Sequence, residues 1–549
     1  MSTHEVVNQP PPLVGHDVAA DAALLEGITR EGAGWAADEL HRLGKLAGGA
    51  EPQRWAEEAN RHEPRLLTHD RYGHRVDEVD FHPSWHRLMA VAVGDGLAGA
   101  PWADSRAGAH VARAAGLFTW SQVEAGHSCP ISMTYAVIPA LRNAPALAAA
   151  YEPLLTSRSY DPGLRSPLTK SGLLAGMGMT EKQGGSDVRA NSTVATPAAD
   201  GSYRLRGHKW FTSAPMCDLF LVLAQAPAGL SCFLLPRVLP DGTHNTFLIQ
   251  RLKDKLGNRS NASSEPEFDD TVAWLVGEEG QGIRTIIEMV AMTRLDCVTG
   301  SAAGMRAALV QAIHHTRHRR AFGRPLADQP LMGNVLADLA LESEAATALA
   351  LRLAGAVNRA VRGDEQEQAF RRLAIAVGKF WVCKRQPAVV GEALECLGGN
   401  GYVEESGLPR LYRDAPLNSI WEGSGNVQAL DVLRAIRREP ASLAAFLAEC
   451  EAAAGADRRL DEAVTALTQT LTPAVGPGAG GSSVPEGQAR RVVQQMALVL
   501  QGSLLVRFAP PAVADAFCAS RLGGEWGQAF GTLGPAAQTA AIVERAAPQ

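Results

Sequence analysis

Apolar and polar positions along the chain follow two different periods. From Asp21 to about Leu155 apolar residues recur at helical spacing, and this spacing returns after Gly282 and holds to about Arg438. Between these regions, from Ser171 onwards, short apolar runs are separated by clusters of Gly, Pro, Asp and Asn, which is typical of strands joined by turns. The pattern therefore predicts helices, then a β domain, then helices again.

The middle region is predicted to hold short strands, and the region after it long helices. The strands are expected at residues 172–179, 203–210, 220–225, 231–235, 246–251 and 272–276. Short strands with such turn-rich connections favour a compact barrel or sandwich. The helices are expected at residues 283–318, 330–361, 365–397 and 424–437, and each is long enough for a helical bundle.

This order gives a multidomain α+β fold class with four regions. Residues 1–170 are predicted to form an N-terminal arm and a helical domain, because the Pro-rich stretch 8–13 cannot be helical. Residues 171–277 form the β domain, and residues 278–439 the four-helix bundle. Residues 440–549 form an extra helical domain, divided by a Pro- and Gly-rich linker at 473–485.

Composition places the chain among soluble globular proteins. Of its 549 residues, 46% are hydrophobic and 20% charged, which is enough to bury a large core. The net charge of −6 gives no overall attraction to nucleic acid or to an anionic membrane. The 8 cysteines are scattered without a CxxC pair, which argues against disulfides or structural zinc. Without a secretory signal or a long apolar stretch, a cytoplasmic protein with no membrane contact is expected.

Two segments rich in glycine and hydroxyl groups are candidates for binding a polar ligand. Residues 177–188 read M-G-M-T-E-K-Q-G-G-S-D-V and follow a predicted strand. Further on, Trp210 precedes Thr212 and Ser213 at a strand end, which suits stacking on, and hydrogen bonding to, a flat aromatic cofactor. Taken alone, Gly-Gly loops more often only turn the chain.

Cationic and Gly-rich turns recur further along the chain. Residues 255–260 (K-L-G-N-R-S) and 319–325 (R-R-A-F-G-R-P) suit phosphate groups, although solvated loops explain them equally well. Residues 398–402 add a G-G-N-G-Y turn. His314 and His318 lie four positions apart, but arginines interleave and no acidic third ligand is near, so no metal site is predicted.

Glu422 lies in the stretch 418–426, N-S-I-W-E-G-S-G-N, just before a predicted helix. Ser424 and Asn426 can cap that helix. A carboxylate beside glycines at a helix start suits either a general base or an anion site. The alternative is a solvated turn residue.

In this order the segments resemble the acyl-CoA dehydrogenase superfamily, across residues 100–437. The resemblance is carried by the M-T-E-x-x-x-G-S-D turn, the W-x-T strand end, the R-x-x-F-G corner, the G-G-x-G turn and I-W-E-G, where the family usually shows I-Y-E-G. The spellings M-T-E-K-Q-G-G-S-D and I-W-E-G-S-G-N, with the extra domain after 440, resemble the AidB branch, which is associated with the response to DNA alkylation. The implied fold is an N-terminal helical domain, a central β barrel and a C-terminal four-helix bundle.

The resemblance implies an FAD flavoprotein that takes an acyl-CoA thioester and assembles as a homotetramer. Residues of the β domain would lie against the isoalloxazine: Met179, Thr180, Gly185, Ser186, Trp210, Thr212 and Ser213. Residues of the bundle would reach other parts of FAD, including FAD of a neighbouring subunit: Arg319, Phe322, Gln329, Gly398, Gly399, Ser424 and Asn426.

Glu422 matches the family's base, which removes the α-proton while the flavin takes the β-hydrogen as hydride. Some members place the base on a bundle helix, but that position is Thr293 here, so Glu422 is the candidate. Trp421 is bulkier than the usual Tyr and is expected to narrow the acyl pocket towards short or branched thioesters. Arg434, which shares a face with Val427 and Leu430 where core residues are expected, is expected to face the active site. There it would lower the pKa of Glu422 and make dehydrogenation weak.

The AidB resemblance also implies an alternative function, a protective flavoprotein that binds double-stranded DNA and has vestigial dehydrogenase activity. Duplex affinity comes mainly from Lys and Arg side chains that neutralise phosphates. The segment after the linker has a mild excess of arginine. The candidate DNA contacts are Arg490, Arg491, Arg507 and Arg521.

Overall fold

The computed structural model describes residues 3–471 and 484–549. The predicted linker at 473–485 therefore lies, apart from its last two residues, outside the described residues. In the described ranges no helix is long and apolar enough to cross a membrane.

The N-terminal region is mostly helical, as predicted, but contains a β-hairpin. Its elements are α1 (Ala22–Arg30), α2 (Ala37–Ala47), α3 (Ala50–Arg61), β1 (Arg65–His69), β2 (Arg75–Asp80), α4 (Pro83–Gly94), α5 (Ala109–Ser121), α6 (Ser128–Leu141) and α7 (Pro145–Leu155). The prediction of helix throughout 21–155 is wrong at 65–80, where β1 and β2 pair antiparallel. Gly73, at φ +87°, turns the chain between them, a conformation that favours glycine.

The middle region forms a sheet that closes on itself. Its strands are β3 (Ala175–Gly178), β4 (Val194–Pro197), β5 (Tyr203–His208), β6 (Thr212–Ser213), β7 (Leu219–Ala226), β8 (Gly229–Pro236), β9 (Leu248–Leu252) and β10 (Ser263–Val276). The strands pair in a ring, from β7 to β8, β10, β5, β4 and back to β7, so the predicted barrel is confirmed. Its core contains the fully buried Phe220 and Phe233. The pattern missed β4 and β6, which are short.

The bundle matches its prediction closely. Its elements are α8 (Gly282–His318), β11 (Arg320–Ala321), β12 (Arg324–Pro325), α9 (Pro330–Val361), α10 (Glu365–Cys396), α11 (Leu408–Asp414) and α12 (Gly425–Arg438). The long helices begin and end within about one residue of the predicted bounds, because long stretches of regular spacing leave little choice of boundary.

The extra region after residue 440 is helical, as predicted, and packs on the bundle. Its helices are α13 (Pro440–Glu451), α14 (Arg458–Leu471), α15 (Ala489–Phe508), α16 (Pro511–Phe517) and α17 (Thr539–Arg545). Helix α15 contacts α9 and α10. Glu449 joins these layers, since it accepts from Arg352 at 2.7 Å and from Arg507 at 2.8 Å.

The chain divides into two compact units that cut across the predicted domains. The β unit consists of residues 51–109 and 123–296, and the bundle unit of residues 1–50, 110–122 and 297–549. Part of the predicted N-terminal domain therefore belongs with the barrel. Within the β unit, for example, the N–H of Ala175 donates to the Thr134 hydroxyl of α6 at 2.9 Å.

Candidate active site

In the β unit, the turn after β3 is tied to the strand end at Trp210. The N–H of Trp210 donates to Thr180 O at 2.8 Å, and Asn191 Nδ2 donates to Met179 O at 2.8 Å. Met179 and Thr180 are half-buried. The structure therefore brings the first and second predicted cofactor segments together.

Gly185 and Ser186 lie at the exposed end of the same turn. A Cβ atom added to Gly185 would collide with the Thr180 hydroxyl oxygen, so only glycine allows this close approach of backbone and side chain. The predicted cofactor residues of the turn thus form one compact group.

Thr212 carries a buried hydroxyl that lacks a partner. The residue is 1% exposed, and its Oγ1 has no hydrogen-bond partner among the described residues. Because a buried unpaired polar group costs about 1–3 kcal/mol, such an atom indicates a ligand. Its neighbour Ser213 lies with its hydroxyl 3.2 Å from that of Ser263. An aromatic cofactor with polar edge atoms would satisfy Thr212.

Trp210 is half-buried and surrounded by cations. Lys253 Nζ lies 3.3 Å from the centre of a Trp210 ring, and Lys182 Nζ and the Arg251 guanidinium each lie 5.6 Å away. Glu265 accepts from Lys253 at 2.6 Å, which offsets part of the charge. The indole is thereby held in one orientation by cation–π contacts.

Glu181 and Lys209 form a buried ion pair that the pattern did not single out, although both stand inside the quoted motifs. Lys209 Nζ lies 2.7 Å from Glu181 Oε1. Glu181 also accepts from the N–H of Ser192 at 2.7 Å and of Thr193 at 3.1 Å. Lys209, a charged residue in a predicted strand, was the available sign of such a pair. Its partner Glu181 could not be identified from the sequence.

In the bundle unit, Glu422 adopts a left-handed backbone conformation. Its φ is +56°, and the following Gly423 has φ +92°. For a residue with a Cβ this conformation costs about 1–2 kcal/mol, and such positions cluster at functional sites. The Glu422 side chain is half-buried.

Two buried polar side chains hold the backbone around Glu422. Lys379 Nζ donates to Asn418 O at 3.0 Å and to Gly423 O at 2.8 Å. Gln428 Nε2 donates to Glu422 O at 3.0 Å and to Gly423 O at 2.9 Å. Both residues are 1% exposed. The sequence analysis missed both, since nothing in their spacing indicates that they bind main-chain carbonyls.

Trp421 is fixed by the same loop. Its Nε1 donates to Asn418 Oδ1 at 2.9 Å, and Asn418 Nδ2 donates to the Ser301 hydroxyl at 3.1 Å. The indole next to Glu422 is therefore anchored to α8 through one intermediate side chain.

Ser424 and Asn426 stand at the start of α12. Ser424 occupies the N-cap position, but its side chain makes no capping hydrogen bond, which differs from the expected cap. Asn426 Oδ1 instead accepts from Arg490 Nη1 of α15 at 3.0 Å. An arginine predicted to contact DNA thus lies against a residue predicted to contact the cofactor.

Arg434 lies on the exposed face of α12. Its side chain is 57% exposed and its Nη1 is 3.8 Å from Asp431 Oδ1. Leu430 on the same face is also exposed, whereas Val432 and Leu433 are buried. The expectation that this face is a core face is therefore wrong, because α12 turns its other side to the bundle.

The Arg-rich corner meets the N-terminal arm. Arg319 Nη1 donates to Asn8 O at 2.6 Å, and the Asn8 side chain exchanges hydrogen bonds with both main-chain groups of Arg320, at 2.8 and 2.9 Å. Gln329 Nε2 donates to Ala321 O at 3.1 Å. Phe322 has φ +51° and is 96% exposed.

The Gly398-Gly399 turn also reaches the arm. Gly398 has φ +59°, and Asn400 Nδ2 donates to Gln9 Oε1 at 3.2 Å. The arm therefore touches two of the bundle segments that are predicted to reach FAD.

The arginines predicted to contact DNA are not all accessible. Arg521 has a side chain 0% exposed and pairs with Asp338 at 2.5 Å and Glu342 at 2.9 Å, so the prediction that it contacts DNA is wrong. Arg507 is half-buried beside Glu449. Arg490 and Arg491 are exposed.

Known families match most of the chain. The adaptive response protein AidB N-terminal domain matches residues 8–162, the acyl-CoA dehydrogenase middle domain residues 176–271 and the acyl-CoA dehydrogenase C-terminal domain residues 280–437. The chain therefore belongs to the acyl-CoA dehydrogenase family, an enzyme family.

Within that family the chain is similar to AidB. It is 48% identical to AidB of Escherichia coli (strain K12) over 523 residues, which is 94% of each chain. It is 31% identical to acyl-CoA dehydrogenase family member 11 of Caenorhabditis elegans, over 83% of this chain and 78% of that one. The resemblance to the AidB branch is thereby confirmed.

Solved structures agree on the fold. Caenorhabditis elegans ACDH-11 in complex with C11-CoA aligns with a TM-score of 0.84 at 27% identity, covering 100% of this chain and 93% of that one. An acyl-CoA dehydrogenase from Bacillus anthracis complexed with FAD aligns with a TM-score of 0.60 at 19% identity, covering 84% and 79%. Family membership and such neighbours indicate FAD as the cofactor, and the unpartnered Thr212 hydroxyl fits it.

Proposed function

We propose that the protein is an FAD-dependent acyl-CoA dehydrogenase in which Glu422 removes the α-proton of the thioester. FAD, when bound, accepts the β-hydrogen as hydride. Because a thioester α-proton is only weakly acidic, the base must be held close to it and partly shielded from water. The half-buried Glu422 meets the second requirement.

The observation that carries this proposal is the strained backbone at Glu422. A left-handed Glu persists only when its surroundings fix it, and here Lys379 and Gln428 together donate to carbonyls on both sides of it. A solvated turn residue would need neither buried donor. The arrangement supports a role for Glu422 in which the direction of its carboxylate matters, as it does for a base that removes a specific proton.

The acyl pocket is proposed to be narrow and to favour short or branched thioesters. Trp421 supports this, because its indole is tied to Asn418 and cannot swing away without losing that hydrogen bond. ACDH-11, the Caenorhabditis elegans neighbour, was solved with C11-CoA. A panel of short, branched and longer thioesters therefore tests the size limit directly.

Arg434 is proposed to weaken the base. Its guanidinium is 3.8 Å from Asp431, so part of its charge is already compensated, and its exposure lets solvent screen the rest. Any lowering of the pKa of Glu422 by Arg434 would therefore be modest.

A homotetramer is proposed as the assembly. Phe322, Leu331 and Tyr402 of the bundle unit are 96%, 84% and 82% exposed in the single chain. Such large apolar side chains, exposed in the single chain, support contact with another subunit.

The decisive experiment is anaerobic bleaching of the bound flavin by the thioester panel. At least one thioester should bleach the flavin in the wild-type protein, and Glu422→Gln, which keeps the shape of the side chain, should retain FAD and not bleach. Bleaching by Glu422→Gln at the wild-type rate would show that another group is the base.

DNA binding in the alkylation response is the alternative function, and the exposed Arg490 and Arg491 are what supports it. A gel shift with duplex DNA over a range of salt concentrations tests it, since phosphate contacts weaken steeply with salt. Absence of a shift at low salt would remove this alternative and leave the dehydrogenase proposal unaffected.

A further inference from the structure

The Glu181–Lys209 ion pair lies between the two segments that carry the flavin residues of the β unit. Glu181 directly follows Thr180, and Lys209 directly precedes Trp210. The pair spans 2.7 Å, and both side chains are 0% exposed. The hydrogen bond from Trp210 N to Thr180 O joins the same segments a second time.

Every polar atom of the pair is used. Lys209 Nζ donates to Leu223 O of β7 at 2.7 Å as well as to Glu181. Glu181 Oε2 accepts from Ser192 N, from the Ser192 hydroxyl and from Gln183 Nε2 at 2.7, 2.9 and 2.9 Å. The pair therefore fixes the turn after β3 against the barrel from several directions.

Stability alone does not explain such a pair. Taking a carboxylate and an ammonium out of water costs several kcal/mol for each ion, and well-packed apolar residues often replace buried pairs without loss. A charged pair differs from apolar packing in its geometry, because it is satisfied only when the nitrogen and oxygen atoms lie within hydrogen-bond distance. The atoms of Glu181 and Lys209 that meet this requirement lie beside residues predicted to bind the cofactor.

The pKa values of Lys209 and Glu181 are shifted in the directions that this environment predicts. Burial lowers the pKa of Lys209 to about 8, against the opposing effect of Glu181. Burial alone would raise the pKa of Glu181, but the Lys209 ammonium and the N–H groups of residues 192 and 193 hold it well below its usual range. The carboxylate is therefore charged at neutral pH.

The lysine stem also packs near Thr212, whose hydroxyl has no hydrogen-bond partner among the described residues. A Cβ added to Gly178 would lie 3.2 Å from Lys209 Cγ and 3.3 Å from Thr212 Oγ1, so both side chains pack over the same glycine. A shift of the Lys209 stem would therefore change the packing over Gly178, which the Thr212 hydroxyl shares.

We infer that Glu181 and Lys209 are a positioning pair for the flavin. They set the distance between the turn at Thr180 and the strand end at Thr212, and through it the affinity and the reduction potential of bound FAD. Neither residue is assigned to the reacting atoms. The inference rests on FAD as the cofactor and is independent of Glu422 as the base.

The same unit offers a matched control. Lys170 Nζ and Asp218 Oδ1 are 2.6 Å apart, with side chains 2% and 3% exposed. Asp218 also accepts from the N–H of Leu174 at 2.9 Å. This second buried pair is comparable in length and burial, but neither residue adjoins one assigned to the flavin.

The experiment compares Lys209→Met with Lys170→Met in the full-length holoprotein. Each variant leaves one buried carboxylate uncompensated, so both should lower the melting temperature. FAD affinity is measured by fluorescence titration of the FAD-depleted protein, and the flavin midpoint potential by dye equilibration. We expect Lys209→Met to raise the FAD dissociation constant about tenfold and to shift the potential, and Lys170→Met to change the constant by less than about twofold.

A double variant separates an effect on stability from an effect on FAD affinity. Glu181→Gln combined with Lys209→Met removes both charges, so the melting temperature should recover while FAD affinity stays low. Equal effects of Lys209→Met and Lys170→Met on FAD affinity, or wild-type FAD affinity in the double variant, would overturn the inference. A wild-type protein that binds FAD but oxidises no thioester would refute the proposed function and leave this inference standing.

Discussion

Lys379 offers the most direct perturbation of the loop around Glu422. Its ammonium is buried and donates to the carbonyls of Asn418 and Gly423, which lie on either side of Glu422. Lys379→Met keeps the length of the stem and removes both hydrogen bonds. We expect the loop to relax while helix α10 stays folded.

The size of the effect follows from the contacts. Each hydrogen bond from a charged donor contributes about 1.5–3 kcal/mol, part of which is offset by the cost of burying the ammonium. The left-handed conformation of Glu422 costs about 1–2 kcal/mol, and loss of Lys379 removes two of the hydrogen bonds that hold the surrounding main chain. A change of about 1.4 kcal/mol in the free-energy difference between the strained and relaxed conformations changes their equilibrium constant about tenfold.

The assay is the rate of anaerobic flavin bleaching at saturating FAD and thioester. Lys379→Met should bleach more slowly than the wild-type protein, by up to about tenfold, because the rate follows the population of the strained conformation. Arg385→Met on the same helix is the control, because Arg385 pairs with Glu342 and makes no hydrogen bond to the loop. If Lys379→Met bleaches at the wild-type rate, the strained conformation of Glu422 is not required, and this reasoning fails.

Three further perturbations test other contacts. At Glu449, burial alone would raise the pKa, but Arg352 and Arg507 hold it at about 2, below its ordinary value of 4.5. The stabilisation of roughly 3 kcal/mol is therefore present above pH 4.5 and lost as the pH falls through 2. Urea unfolding should show Glu449→Gln destabilising the protein more at pH 7 than at pH 3, and an equal effect at both would contradict the assignment. Arg434→Leu should speed bleaching if Arg434 weakens the base, and no gain in rate would count against that proposal. Asn8→Ala should raise the FAD dissociation constant about threefold because the main chain of Arg320 loses both hydrogen bonds to the Asn8 side chain, and an unchanged constant would exclude the arm from the cofactor corner.

Helix bounds in the bundle could be predicted because long regular spacing determines them. Helix α9 spans Pro330–Val361 as predicted, with a proline at its first position. The hairpin at Arg65–Asp80 could not, since its strands are short and only Asp77 among their residues is buried. Two-stranded pairing of this kind depends on the neighbouring structure more than on local pattern.

A candidate site residue can be named from the sequence where a motif contains it, whereas a side chain that supports it from elsewhere in the chain cannot. Glu422 and Trp210 could be named from their motifs. Arg521 was misassigned because an excess of arginine on a segment does not indicate which guanidinium is buried, and its partners Asp338 and Glu342 lie about 180 residues away.

Lys209 and Lys379 play similar structural roles in the two compact units. Both are among the largest fully buried side chains of the described residues, and each ammonium donates to two oxygen atoms. Burying an ammonium costs free energy unless its hydrogen bonds are made. It therefore restricts the positions of its acceptor atoms more than apolar packing does. Each compact unit therefore contains a lysine that fixes a candidate site segment, Thr180 to Trp210 in one unit and the Glu422 loop in the other. Substituting either lysine should disturb its own segment first, flavin binding for Lys209 and proton abstraction for Lys379.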